Sequence, residues 1–82
     1  PEGKLNNLGL QLVFNPKTSV SGIKIFLLAT TLYPNSSNLF DSLAEAYLFL
    51  GDTDKAILSF QKSLDLNPQN QNAIDRLGHL RK

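Results

Sequence analysis

In the stretch LFDSLAEAYLFL, apolar side chains fall at Leu39, Phe40, Leu43, Ala44, Tyr47 and Leu48. That is the three-and-four spacing of a helix, not the alternation of a half-buried strand. A second run, DTDKAILSFQKSLDL, places Ala56, Ile57, Phe60, Ser63, Leu64 and Leu66 on one side. Gly51 separates the two runs, Asp52 or Thr53 is placed to cap the second, and Pro68 stops it. The same reading predicts a helix over Lys4–Phe14, with Leu5, Leu8, Gly9 and Leu12 as its inner stripe and Leu10, Val13 and Phe14 outside it. A turn at Asn15-Pro16-Lys17-Thr18 follows, since Pro fixes φ and Asn tolerates turn geometry. Next come a helix over about Val20–Leu32, capped by Thr18 or Ser19, and a last helix over about Gln71–Arg81 with Ala73, Ile74, Leu77 and Leu80 inward. The chain is therefore expected to be all-α, with five helices.

These helices recur with a period. Pro34 reappears 34 residues later as Pro68, Leu32 as Leu66, Phe26 as Phe60 and Ile23 as Ile57. Small Gly22 matches small Ala56, Ala29 matches Ser63, and the same offset carries Leu43 to Leu77, Ala44 to Gly78 and Asp41 to Asp75. Leu8-Gly9 precede Leu43-Ala44 by 35 residues, which places one extra residue in the Asn15–Thr18 turn. A helix–turn–helix unit of this period resembles the tetratricopeptide repeat (TPR) family. The stretch 37–70 carries the resemblance best. Phe40 stands where the family favours Trp, Leu43-Ala44 stand for its Leu-Gly, and Tyr47, Gly51, Ala56, Phe60 and Pro68 match, while Ser63 replaces the usual Ala. The stretch 2–36 is a looser copy without the first-helix aromatic pair or the turn glycine, and 71–82 matches only a first helix. The resemblance implies a right-handed stack of antiparallel helix pairs, a TPR-like α-solenoid forming one domain over residues 1–82: a repeat at 2–36, a repeat at 37–70 and a closing helix at 71–82.

Composition removes several function classes. The 82 residues carry a net charge of +1 with no basic cluster, which gives no drive toward nucleic acid. Cysteine is absent, and His79 is the single histidine, so thiolate and multi-histidine metal sites are excluded within one chain. The longest apolar stretch, Ile23–Leu32, is interrupted by Lys24 and two threonines and is far short of a membrane span. Asp52-Thr53-Asp54 superficially resembles the start of a carboxylate metal loop, but Lys55-Ala56-Ile57 runs on into a helix, so a turn and N-cap is the better reading. No phosphate-binding glycine loop and no nucleophile elbow are present. Asn35-Ser36-Ser37 fits the glycosylation acceptor pattern, a triplet common by chance. No enzyme, cofactor, metal or small-molecule ligand is expected, and the partner is expected to be a protein or peptide.

Two surfaces are candidates. In TPR proteins the stacked first helices line a concave groove that binds extended peptides or partner helices. The resemblance implies such a groove here, lined by Asn6, Asn7, Leu10, Phe14, Asp41, Ser42, Glu45, Phe49, Asp75, Arg76 and His79. Some TPR domains bind a chaperone's C-terminal carboxylate through Lys, Asn and Arg side chains. Arg76 fits that set, but Asn6, Leu10, Ser42 and Asn72 do not supply the rest, so Asp41, Glu45 and Asp75 are expected to favour a cationic or mixed segment. The second surface lies on the second helix, GIKIFLLATTLY, which is apolar nearly all round, as expected of a helix covered on both sides. Its Lys24, Ile25, Leu27, Leu28 and Thr31 match Leu58, Ser59, Gln61, Lys62 and Asp65 of the central repeat. A patch of Ile25, Leu27 and Leu28 marks an interaction surface, taken up by a second copy of the chain (a homodimer) or by a preceding domain. The run Tyr33–Pro68 also resembles C-terminal repeats appended to some bacterial serine hydrolases and esterases. With an opening Pro-Glu-Gly in place of Met, this raises the expectation of a structural or dimerising appendage of a larger bacterial protein.

Overall fold

Each predicted helix forms. The computed structural model describes residues 2–81, in the order α1 (Glu2–Val13), α2 (Ser19–Leu32), α3 (Ser37–Phe49), α4 (Thr53–Leu66) and α5 (Gln71–Leu80). Among the described residues there is no strand, and no helix is long and apolar enough to cross a membrane. Pro1 and Lys82, the ends of the expected domain, lie outside the described residues.

The helix ends follow from local chemistry. Ser36, Asp52 and Asn70 cap α3, α4 and α5, their side-chain oxygens accepting from the N–H groups of Leu39 (3.1 Å), Lys55 (3.2 Å) and Ala73 (3.3 Å). Gly51, at φ +82°, takes the left-handed conformation that ends α3. Its N–H donates to Leu48 O at 3.0 Å and that of Asp52 to Tyr47 O at 2.9 Å, which satisfies two of the last carbonyls. At α2 the expected cap is not made. The Thr18 hydroxyl donates backward to Leu12 O at 2.7 Å and Ser19 Oγ donates to Pro16 O at 3.4 Å, so both side chains secure the turn instead.

Consecutive helices pack as antiparallel pairs, α1 on α2 and α3 on α4, while α3 also lies against α1 and α2, and α5 against α4. Two apolar clusters result. One joins Val13, Phe26, Ala29, Leu39, Leu43 and Ala46; the other joins Ala44, Ala56, Phe60, Ala73 and Leu77. Phe26 and Phe60, one repeat apart, are both fully buried and fill the same place in successive units. Close approach needs small residues. A Cβ on Gly9 would lie 2.6 Å from Phe26 Cζ, and one on Gly22 would run into Val13 and the Gly9 carbonyl.

Three details differ from the periodic reading. In α1, Val13 is fully buried and Leu8 is 42% exposed, the reverse of the expectation for these two, while Gly9 is buried and Leu5 packs on the core as the stripe predicts. The reason is that α3 covers the Val13 side of α1, while among the described residues no helix covers the Leu8 side. Ser59, expected outward, is buried, and its repeat-mate Ile25 is half-buried. In α5, Ala73 and Leu77 are buried as expected and Leu80 is half-buried, while Ile74 is 42% exposed.

Candidate functional site

Of the first helices of the successive units, α3 lies against α1 and is joined to α5 by side-chain hydrogen bonds, so the three border a common side of the stack. At the C-terminal ends of α1 and α3 this face is apolar. Phe14 and Phe49 occupy equivalent positions in their repeats, with ring centroids 5.2 Å apart and planes at 88°. That edge-to-face geometry suits aromatic quadrupoles and adds a modest attraction beyond burial. The pair still leaves 55% of Phe14 and 49% of Phe49 open to solvent. Half-buried Leu10 lies one turn before Phe14 on the same stripe.

The other half of the face is polar, and its groups are bound to one another. Asp41 on α3 accepts from Asn70 Nδ2 at 2.8 Å and from Asn72 Nδ2 at 2.9 and 3.1 Å. Glu45, one turn on, accepts from Asn72 Nδ2 at 3.0 Å and from Arg76 Nε at 3.0 Å. Beneath them, the fully buried Ser63 hydroxyl donates to Ser37 O at 2.8 Å, and Asn70 Nδ2 reaches Ser63 Oγ at 2.8 Å. Ser37 Oγ returns a hydrogen bond to Ser63 O at 2.9 Å. These bonds clasp the N-terminal halves of α3 and α5 over the end of α4. They surround an open depression lined by Ser37, Asn38, Asp41, Asn67, Asn70 and Asn72. A buried hydroxyl is costly unless paired, which gives the network a structural purpose.

The expected groove residues therefore divide. Leu10, Phe14 and Phe49 form an open apolar end. Asp41, Glu45 and Arg76 come together, but as an internal clasp instead of a free acidic lip. Asp75 accepts from Gln71 Nε2 at 2.8 Å on its own helix. Asn6 is half-buried, its Oδ1 enclosed and accepting no hydrogen bond. His79 is exposed, and Ser42 is buried. Asp52 caps α4 and also meets Lys55 Nζ at 3.8 Å, which is the turn-and-cap role. Among the described residues no cluster of three or more His, Cys, Asp or Glu side chains could hold a metal.

On α2, Ile25 is half-buried, while Leu27 and Leu28 are 45% and 50% exposed. They do not make one face, because at 3.6 residues per turn Ile25 and Leu27 point about 160° apart. Leu28 and Ile25 share an edge with the 58%-exposed Leu32, and Leu27 lies on the other side of the helix.

Sequence reasoning missed the second roles of Asn70 and Asn72. The capping of α5 by Asn70 is local to its sequence. Its bonds to Asp41 and Ser63 span 29 and 7 residues and exist only once the helices are packed.

In comparison with known families, residues 38–70 match the model described as tetratricopeptide repeat. The matched segment comprises nearly all of α3 together with α4 and the turn that follows it. No curated protein matches the chain.

Proposed function

From the premise that this chain carries a tetratricopeptide repeat and is in general class a protein–protein interaction module, we propose that it binds a peptide or partner helix across its concave face. The observation that carries the reading is the exposed edge-to-face pair Phe14–Phe49, with Leu10 beside it. Two aromatic rings kept half in water at equivalent repeat positions do nothing for the core and offer an apolar anchoring place. Because Asp41 and Glu45 already accept from Asn70, Asn72 and Arg76, affinity comes chiefly from an apolar side chain of the partner. The polar half, with Asp75 and Arg76, orients the rest of the segment, and Asn6, one turn before Leu10 on α1, belongs to the same proposed face.

Selection from a random peptide library tests this. The selected peptides should share an aromatic or large aliphatic anchor, and Phe14→Ala and Phe49→Ala should each weaken them about tenfold, a loss of ~1.4 kcal/mol. Peptides that bind the double variant as tightly as the parent would contradict the reading.

A second reading rests on a separate observation, the solvent exposure of Leu27, Leu28 and Leu32 on α2. In it the N-terminal half docks on another protein surface through the Ile25–Leu28–Leu32 edge of α2, with Leu27 standing on the other side of the helix, and the chain serves as a structural or dimerising appendage.

A further inference from the structure

The proposed binding face changes character from one end to the other. At equivalent repeat positions the first helices carry Asn6, Asp41 and Asp75; one turn on, Leu10, Glu45 and His79; one turn further, Phe14 and Phe49. The last row is the exposed aromatic pair. The first row is acidic. Asp41 accepts from Asn70 and Asn72, and Asp75 accepts from Gln71, but all three donors are amides. An amide occupies a carboxylate's lone pairs and leaves its charge in place. Glu45 differs, because Arg76 Nε meets its Oε2 at 3.0 Å and the two charges cancel. Among the described residues no lysine or arginine forms a salt bridge with Asp41 or Asp75. Lys4, the one basic residue of α1, lies about 120° round the helix from Leu10, and Glu2, the other charged residue of α1, is acidic as well. Lys17 belongs to the turn beyond Phe14, at the apolar end. Two uncompensated negative charges, on Asp41 and Asp75, therefore stand at the polar end of a face whose other end is an open apolar anchor.

Resting on the concave-face reading above, we propose that the partner segment is basic. It is an extended peptide that seats an aromatic or large aliphatic side chain on Phe14 and Phe49 and carries Lys or Arg about three to five residues from that anchor. The aromatic pair makes the site, and the charge selects among the segments that fit it. The spacing follows from helix geometry. Phe49 and Asp41 are two turns apart on α3, about 12 Å at 1.5 Å per residue, a distance that about four residues of extended chain span. Asp75 stands one helix over, about 10 Å to the side. The diagonal from the anchor is then roughly 16 Å, or about five residues. The Gln71 amide occupies Oδ1 of Asp75, and this exposed carboxylate has further lone pairs for an incoming cation. Arg76 offers no matching attraction to an acidic segment, because Glu45 already neutralises it. Ion pairs in contact with water are weak, so the preference is about two- to fivefold per basic residue, and salt screens it.

Selection on the full chain from a displayed library of peptides about ten residues long, random except for one fixed Phe, tests it. Lys and Arg should be enriched over Asp and Glu about three to five positions from the Phe. In the leading peptide, replacing the basic residue by Gln should weaken binding about two- to fivefold at low salt. The difference should vanish at about 0.5 M salt, where the Debye length is roughly 4 Å. Asp75→Asn and Asp41→Asn should each shrink the gap between the Lys and Gln forms of the peptide. Asp75 is exposed and lies outside the clasp, so its variant stays decisive should Asp41→Asn fail to fold. Asp65→Asn is the matched control, since Asp65 on α4 also accepts from a Gln one turn back, Gln61 Nε2 at 3.4 Å, and it should leave the gap intact. Peptides that need Phe14 and Phe49 but show no basic enrichment, or whose preference survives Asp75→Asn unchanged, overturn the basic partner and leave the concave-face reading standing. Peptides that bind the Phe14→Ala, Phe49→Ala double variant as tightly as the parent overturn both.

Discussion

Replacing Gly22 by Ala isolates the close crossing on which the first helix pair depends. In an open helix the substitution helps, because Ala is favoured over Gly by about 1 kcal/mol. At Gly22 the added carbon would meet the Val13 side chain, and it would also lie 2.7 Å from Val13 N and 2.9 Å from Gly9 O. Two of those atoms are backbone, so no rotamer change relieves the overlap and α1 must move away from α2. Overpacking of this kind costs typically about 1–3 kcal/mol, and a clash with backbone belongs at the upper end. Offset by the helix-propensity gain, the net loss is about 2 kcal/mol, equivalent to a fall of roughly 10 °C in Tm for a domain of this size. Gly78 on α5 is the internal control, since nothing lies within 4 Å of the position its Cβ would take. Gly78→Ala should raise stability by about 0.5 kcal/mol or a little more. Thermal and urea unfolding followed by circular dichroism read both variants. The opposite signs are the prediction, and a Gly22→Ala protein as stable as Gly78→Ala would refute the close crossing.

Phe60, fully buried between successive units, should cost about 3–5 kcal/mol as Phe60→Ala, enough to unfold most of so small a stack, as denaturant titration would show. Asp52→Ala removes the α4 cap to Lys55 N and should cost about 1 kcal/mol, visible as a lower urea midpoint with an unchanged slope. Ser63→Ala removes the hydroxyl shared by Ser37 and Asn70. It should also cost about 1 kcal/mol, and little more because Asn70 keeps Asp41.

The fold was legible because its determinants are local or periodic. Gly51, Pro34 and Pro68 mark ends, and the recurrence of Phe26 as Phe60 and Ala44 as Gly78 marks the unit. Periodicity also misled. It finds an apolar stripe but not which flank of that stripe a neighbour covers, so Leu8 was expected inside and Val13 outside, and the structure reverses them. At the candidate face the apolar end, Leu10, Phe14 and Phe49, was legible through the repeat resemblance taken together with helical phase. The polar end was not, because Asp41 and Glu45 look like free acids until α5 brings Asn72 and Arg76 against them, 27 to 31 residues away along the chain. Ile25, Leu27 and Leu28 are neighbours in sequence, yet helical geometry divides them between two sides of α2.

The concave face as the binding face is tested most directly by titrating an isotope-labelled chain with a library-selected peptide and following amide shifts by nuclear magnetic resonance. Shifts should concentrate at Leu10, Phe14 and Phe49 and extend to Asp41, Glu45 and Arg76, leaving the outer side of α4 around Leu58 and Lys62 unmoved. Shifts centred on Leu58 and Lys62, or on Leu28 and Leu32 with Phe14 and Phe49 silent, would contradict it.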